Sequence, residues 1–409
     1  MKKYPWKAVK LDKVADIQTG ISKSASRKLT DPIEVPYLRV ANVQDGHLDL
    51  SVIKYISIER KNLERYTLQA GDVLLTEGGD FDKLGRGTVW KNEIETCVHQ
   101  NHVFSVRTDP NILLPEFLNI LTSSSYGKRY FISCSKQSTN LASINSSQLK
   151  QFPVLLPPKD LQKSIVSTLN FWDTAIEKTE ALIAAKEKQF EWLTQTIIRE
   201  ECPHWKHYLA KELFDSVSSK GHPDEELLSV TQDRGVIPRT MLKGRVMSPA
   251  GSRAGYKLVE KGNFVISLRS FQGGLEYSAY RGIVSPAYTI LSPKKEINSN
   301  FYRHFFKSYV FVEKYLSVAV IGIRDGKQIS STDFDTVKIP YPDIDEQVKI
   351  ASKLDTARQE INLLKDILEQ YRLQKRGLMQ KLLTGEWQVS TQDQTTEETR
   401  KELSKERIA

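Results

Sequence analysis

The strongest constraint on how this chain can fold is that part of it is written twice. A shift of 185 residues lays Leu156-Pro157-Pro158-Lys159-Asp160-Leu161-Gln162-Lys163-Ser164-Ile165 over Tyr341-Pro342-Asp343-Ile344-Asp345-Glu346-Gln347-Val348-Lys349-Ile350. Pro157, Asp160, Gln162 and Ile165 recur identically. Extended over Ile144 to Gln195, the same offset gives 12 identities in 52 positions, against roughly three expected by chance at ordinary composition. This is a tandem duplication, so both copies must form the same element. Outside that window only short echoes remain: Trp6-Lys7 against Trp205-Lys206, and Gly71-Asp72-Val73-Leu74-Leu75 against Gly262-Asn263-Phe264-Val265-Ile266. The halves share a frame and differ elsewhere.

The duplicated stretch reads as a long helix, because its apolar residues fall at alternating spacings of four and three. The first seam is Ile165, Leu169, Trp172, Ile176, Thr179, Ile183, Lys186, Phe190, Leu193 and Ile197. The second is Ile350, Leu354, Ala357, Ile361, Leu364, Leu368, Tyr371, Lys375, Leu378 and Leu382. One narrow apolar stripe sustained this far can be buried only against another like it, which predicts a coiled coil. Thr179, Lys186 and Lys375 are its polar positions, read as register-setting or snorkelling side chains. Prolines 157, 158, 340 and 342 forbid helix upstream; Asp160 is expected to cap the first helix, and Asp343 with Glu346 has capping-box form. Pro203 stops the first helix, and Gly385 takes the left-handed cap of the second.

The residues before each helix mix short β-rich runs, such as Val73 to Thr76 and Phe264 to Ser267, with Gly, Asn and Asp turns. Each ends in a helical patch, with Phe117 and Phe301 in matching places. The resulting partition is an α+β domain over 1–152, a helix over 153–200, a second α+β domain over 201–338, a second helix over 339–385 and a polar tail over 386–409. With 409 residues, 39% of them hydrophobic, there is enough chain for two or three cores. A net charge of +9 admits a polyanionic partner without demanding one. Three scattered cysteines suit a reducing compartment. The first twenty residues lack the apolar core of a signal peptide, and the Tyr309 to Ile323 run is too short to span a bilayer, so a cytoplasmic protein is expected.

The order of these motifs resembles the DNA-specificity (S) subunits of type I restriction-modification systems. The resemblance covers nearly the whole chain and rests on the twice-occurring Pro-x-x-x-x-Gln-x-x-Ile, on Leu378-Met379-Gln380-Lys381-Leu382-Leu383-Thr384-Gly385, and on Ala70-Gly71-Asp72-Val73-Leu74-Leu75. It implies two target-recognition domains in tandem pseudo-repeat, separated by two long antiparallel helices. Each domain would read one half of a split double-stranded DNA site, while the helices set the gap and dock two methyltransferase (M) subunits. The full complex, with restriction (R) subunits, would be an adenine-specific DNA methyltransferase and ATP-dependent endonuclease serving host defence. S-adenosylmethionine, ATP and Mg would then belong to the partners, with no cofactor in this chain. The first copy departs from the second in having Asp160-Leu161-Gln162 for Asp345-Glu346-Gln347 and no Leu-Thr-Gly ending.

Cations beside turns are the candidates for DNA contact. They are Lys23, Arg27, Lys28, Lys83, Arg86 and Lys91 in the first domain. In the second they are Arg234, Arg239, Lys243, Arg245, Arg253, Arg269, Arg324 and Lys327, with Tyr280 and Tyr288 interleaved. Arginine can bond the major-groove edge of guanine with two donors, and either cation can neutralise phosphate. For any single one of them an ordinary solvated charge is the favoured reading over a base contact; as a set they are expected to include several phosphate contacts. Cys97-x-His99-x-x-His102 and Cys202-x-His204-x-x-His207 share a spacing, but each offers three zinc-ligand types without an evident fourth, so no metal is expected. The sequence shows no phosphate-binding loop, no Asn/Asp-Pro-Pro-aromatic element and no Ser/His/Asp set at recognisable spacing, which argues against an enzyme. A coiled-coil scaffold that never touches DNA would explain the helices, but not two recognition-sized domains with basic loops.

Overall fold

The computed structural model describes residues 6–22, 29–79, 84–137, 142–198, 204–242, 253–267, 274–316, 331–387 and 389. Four helices organise it: α1 (Pro115–Ser123), α2 (Lys159–Ile197), α3 (Ser299–Phe305) and α4 (Ile344–Leu383). The two long helices, α2 and α4, are the two copies of the duplicated stretch. Asp343 caps α4, accepting the Glu346 N–H at 2.8 Å. The reciprocal half of the capping box is replaced by a contact in which the Glu346 carboxylate faces His204 Nε2 at 3.2 Å. The cap expected from Asp160 does not form. Helix α2 already begins at Lys159, so Asp160 lies inside the first turn, where Lys163 Nζ sits 3.3 Å away. At the far end of α4, Gly385 takes φ +67° and the Glu386 N–H reaches back to the Lys381 carbonyl, closing the helix with a left-handed cap.

Contacts group the chain into two units, Met1–Lys178 with Leu368–Ala409, and Thr179–Ile367. Each long helix gives one stretch to each unit, which cuts across a partition into consecutive segments. Within either unit the two stretches run antiparallel. In the first, Trp172 meets Tyr371 edge-on at 5.7 Å and Lys375 pairs with Asp173. In the second, Lys186 pairs with Glu360 and Lys365 with Glu187, both at 2.7 Å, and Arg358 lies 3.9 Å over the Phe190 ring. The seam residues Ile165, Leu169, Trp172, Ile176, Ile183, Phe190, Leu193, Ile197, Ile350, Leu354, Ile361, Leu364, Leu368, Leu378 and Leu382 are all buried or half-buried. Lys186 and Lys375 lay their stems in the seam and carry their charges to carboxylates on the opposite helix.

The globular part of each unit is one frame built twice. In the first unit β1 (Ala15–Thr19), β2 (Val73–Thr76), β3 (Gly87–Val89) and β4 (Val103–Thr108) form an antiparallel sheet in the order β1-β4-β2-β3. In the second unit β5 (Phe214–Val217), β6 (Phe264–Ser267), β7 (Glu276–Tyr277) and β8 (Tyr288–Pro293) repeat it as β5-β8-β6-β7. The register repeats as well: Val73 faces Val106 and Phe264 faces Leu291. A two-stranded ribbon leads into each long helix, Lys7–Lys10 with Pro153–Leu156 and Lys206–Leu209 with Lys338–Tyr341. The first core gathers Phe104, Phe117, Ile165 and Leu169 with Leu382 and Leu383 from the end of α4. The second gathers Phe264, Phe301 and Phe306 with Phe190, Ile350, Leu354 and Ile361. At about 1.5–3 kcal/mol for each fully buried side chain of this size, the helix stretches are integral to both cores. Among the described residues no helix is long and apolar enough to cross a membrane.

Candidate nucleic-acid interface

The repeated glutamine is the joint between helix and sheet domain. Gln162 is fully buried: its Oε1 accepts the Leu114 N–H at 2.9 Å, and its Nε2 donates to the carbonyls of Ile112 (2.9 Å) and Pro157 (3.0 Å). Gln347, equally buried, accepts from Asn298 N–H at 2.8 Å and donates to the Pro342 carbonyl at 2.8 Å. Leu114 and Asn298 are the residues that precede α1 and α3. One amide therefore ties the start of each long helix to the start of the helix that packs on each sheet. The preceding proline fits because its ring blocks helix before this point while its free carbonyl accepts the clamp.

The turn before β2 and β6 repeats in the same way. Gly71 and Gly262 take φ +95° and +96°, which a side chain resists. The Gly71 N–H bonds the Trp90 carbonyl and the Gly262 N–H bonds that of Ser278, so Trp90 and Ser278 occupy matching places. Asp72 accepts the Gln69 N–H at 2.9 Å, and Asn263 accepts that of Glu260 at 2.8 Å. At the position after the glycine the two turns differ: in the first, Arg107 grips the buried Asp72 carboxylate through Nε and Nη2, each at 2.8 Å. The matching residues, Asn263 and Ser292, are both neutral.

On this frame five of the candidate DNA-contacting cations can be placed. Arg86 follows Gly85, whose φ of +66° and close approach to the Phe131 ring exclude a side chain. Its Nη2 reaches the Val40 carbonyl at 3.5 Å. Lys91 is exposed, its backbone N–H held by Glu93. In the second unit Arg234 donates from Nη1 and Nη2 to the Met241 carbonyl, both at 3.3 Å, and Tyr280 OH lies 3.6 Å from Met241 Sδ. Arg239 opens the short turn that ends at Met241. Arg234, Arg239 and Tyr280 are thus brought together around one residue. Arg253 lies in the turn closed by Tyr256 N–H, and Lys257 next to that turn donates to the Tyr288 carbonyl at 2.7 Å. Lys23, Arg27, Lys28, Lys83, Lys243, Arg245, Arg269, Arg324 and Lys327 lie outside the described residues.

The family model for the type I restriction modification DNA specificity domain matches residues 3–186 and again 205–371. The chain belongs to this family. The two matches begin just ahead of the two ribbons and take in both sheets. A protein of Methanocaldococcus jannaschii named as the specificity subunit of the type I restriction enzyme MjaX is 22% identical over 94% of both chains. The EcoKI specificity subunit of Escherichia coli is 25% identical over 45% of this chain and 39% of its own. Among solved structures, the HsdS subunit from Thermoanaerobacter tengcongensis matches with TM-score 0.52 at 17% identity, covering 94% of this chain and 98% of its own. A chain from a study of complex assembly and conformational transition in the type I R-M system matches with TM-score 0.63 at 16% identity, covering 94% and 100%. At such identities the structures share the fold. The chain is a DNA-recognition specificity subunit, which does not favour the reading as a scaffold that never touches DNA.

In this specificity subunit the Cys/His spacings serve the frame. His99 is buried and its Nδ1 bonds the Val103 carbonyl at 2.8 Å; Cys97 is buried beside it; His102 pairs with Glu77 at 2.5 Å. His204 and His207 face Glu346 and the Trp205 carbonyl, and Cys202 lies outside the described residues. Burial holds the His99 imidazole below the usual histidine range. The folded state therefore keeps this ring neutral while the unfolded chain protonates near pH ~6.5, so its stabilising contribution is complete above that pH and is lost as pH falls through it. The first unit should lose up to about 1.4 kcal/mol per pH unit below ~6.5 from this group. His99→Asn, whose Nδ2 can take the place of Nδ1, should flatten that component in urea titrations between pH 7.5 and 5.5; an unchanged slope would count against it.

Proposed function

We propose that each recognition unit reads one half of a bipartite duplex site, that α2 and α4 set the unread gap, and that the subunit works in a complex with two methyltransferase subunits and with restriction subunits. The observation that carries this reading is that one frame is built twice, down to its glutamine clamps and glycine turns, while the cations mounted on it differ. A frame conserved between two readers, with different side chains presented, suits two ligands of one class and different sequence. Catalysis then lies with the partners, which supply S-adenosylmethionine, ATP and Mg. We place the complex in the cytoplasm, where its DNA is.

Two experiments test this. Binding of the full chain, with its methyltransferase, to mixed-sequence duplex should weaken steeply with salt, since phosphate contacts release counterions. A chain whose retention does not depend on salt would speak against the reading. Exchanging residues 1–150 for those of a relative, then mapping methylated positions genome-wide, should alter one half of the recognised site and leave the other half and the gap unchanged. Change in both halves contradicts the assignment of one reader per unit.

A further inference from the structure

Two arginines of the first unit have an Nε that is sealed from water and bonded to nothing: Arg39 and Arg86. Both residues are half-buried, and among the described residues neither pairs with a carboxylate. Both adjoin Val40, Arg86 by a hydrogen bond and Arg39 along the chain. The Val40 carbonyl receives Arg86 Nη2 at 3.5 Å, its N–H is held by Gln100 Oε1 at 3.4 Å, and Arg39 is its chain neighbour. A buried donor without an acceptor is rare in a folded protein and calls for an explanation. Here each guanidinium has its Nε buried, while among the described residues its outer nitrogens meet no carboxylate.

The repeat shows what these positions are in the other reader. Trp90 and Ser278 match, so four residues back Arg86 matches Gly274. Tyr37 pairs in parallel with Val98, and Leu227 with Ile283, the residue 185 places beyond Val98; two residues on, Arg39 matches Ser229. The frame is the same at both places, yet both cations are absent from the second unit. Phosphates are met by every DNA reader whatever its sequence, whereas base edges differ between half-sites. Rigid arginines present in one reader and missing from its twin fit the second role.

We propose that Arg39 and Arg86 form a guanine-reading pair, their outer nitrogens directed to O6 and N7 in the major groove of the half-site read by the N-terminal unit. Gln100 is a positioning residue that holds Val40 between them. This inference rests on the DNA-reading function proposed above, and its test separates the two. The full chain is co-expressed with its methyltransferase, and methylated sites are mapped for wild type, Arg39→Lys and Arg86→Lys. Lysine keeps the charge and loses the two-pronged fork. The expected result is a roughly ten- to hundredfold loss of preference for guanine at one or two positions of a single half-site, with the other half and the gap unchanged. Arg39→Gln and Arg86→Gln give the same reading if a lysine variant melts early. An unchanged motif overturns the pair. So does uniformly lower methylation without altered base preference, which marks phosphate contacts. A wild-type map with no bipartite motif overturns the DNA-reading function itself.

Discussion

Replacing Gln162 by leucine is expected to destabilise the N-terminal unit by about 3 kcal/mol or more, the largest effect of any single polar substitution in the frame. Leucine has nearly the same volume, so no cavity opens. What it removes is the partner of three buried backbone groups, the Leu114 N–H and the carbonyls of Ile112 and Pro157. Each stranded group costs about 1–3 kcal/mol, and only some can find water at the helix start. Gln162→Glu should be no better, because a carboxylate accepts from Leu114 but faces two carbonyls without a proton to offer. Gln347→Leu strands two groups, Asn298 N–H and the Pro342 carbonyl, and should cost less. Hydrogen exchange on the full chain separates the units: Gln162→Leu should expose amides of residues 112–118 and leave those of 298–305 protected. Equal loss in both units, or a change below about 1 kcal/mol, would remove the clamp from the argument.

That clamp marks where sequence reading stops. The recurrence of Gln162 at Gln347 is visible in the chain, and identity at the repeat offset signals constraint. Its purpose is not visible, because the groups it holds lie 48 and 50 residues upstream at a helix start. The seam was legible for the opposite reason. Helical periodicity is local, so a four-three spacing names positions that are buried or half-buried, and even its exceptions Lys186 and Lys375 could be read as snorkelling stems. Asp160 shows the limit of local rules: an acidic residue near a helix start is a good cap only at one position, and here the helix begins two residues too early.

Other features were out of reach because sheet register is not written locally. Asp72 and Arg107 are 35 residues apart and meet only once β2 lies against β4. Arg39 resembles any exposed cation until the fold seals its Nε. Reading the chain as consecutive segments also hides that Leu382 and Leu383, at the end of the second helix, belong to the first unit's core. Periodicity says that a stripe is buried but not which distant segment covers the flank beside it.

A seven-residue insertion made in both long helices, after Lys178 and after Ile367, is expected to lengthen the unread gap while leaving both half-sites as they were. These are the points where the chain passes between units, so neither core is cut. Seven residues keep the seam in phase, since a heptad turns it by only ~20°, whereas four would turn it away from its partner. Both helices must be extended together. An insertion in one alone would leave the Asp173–Lys375 pair in place only by sliding Lys186 from Glu360 and Glu187 from Lys365. The added rise is about 10.5 Å, and duplex rises about 3.4 Å per base pair, so translation alone would add about three base pairs. Each added pair also turns the groove by roughly 35°, whereas a whole heptad turns the helix seam by only ~20°, so the gap should grow by about one to three pairs as the readers accommodate both demands. Methylation mapping reads the result directly. An unchanged gap, or loss of both half-site preferences in a chain that still melts cooperatively, would show that something other than these helices measures the distance.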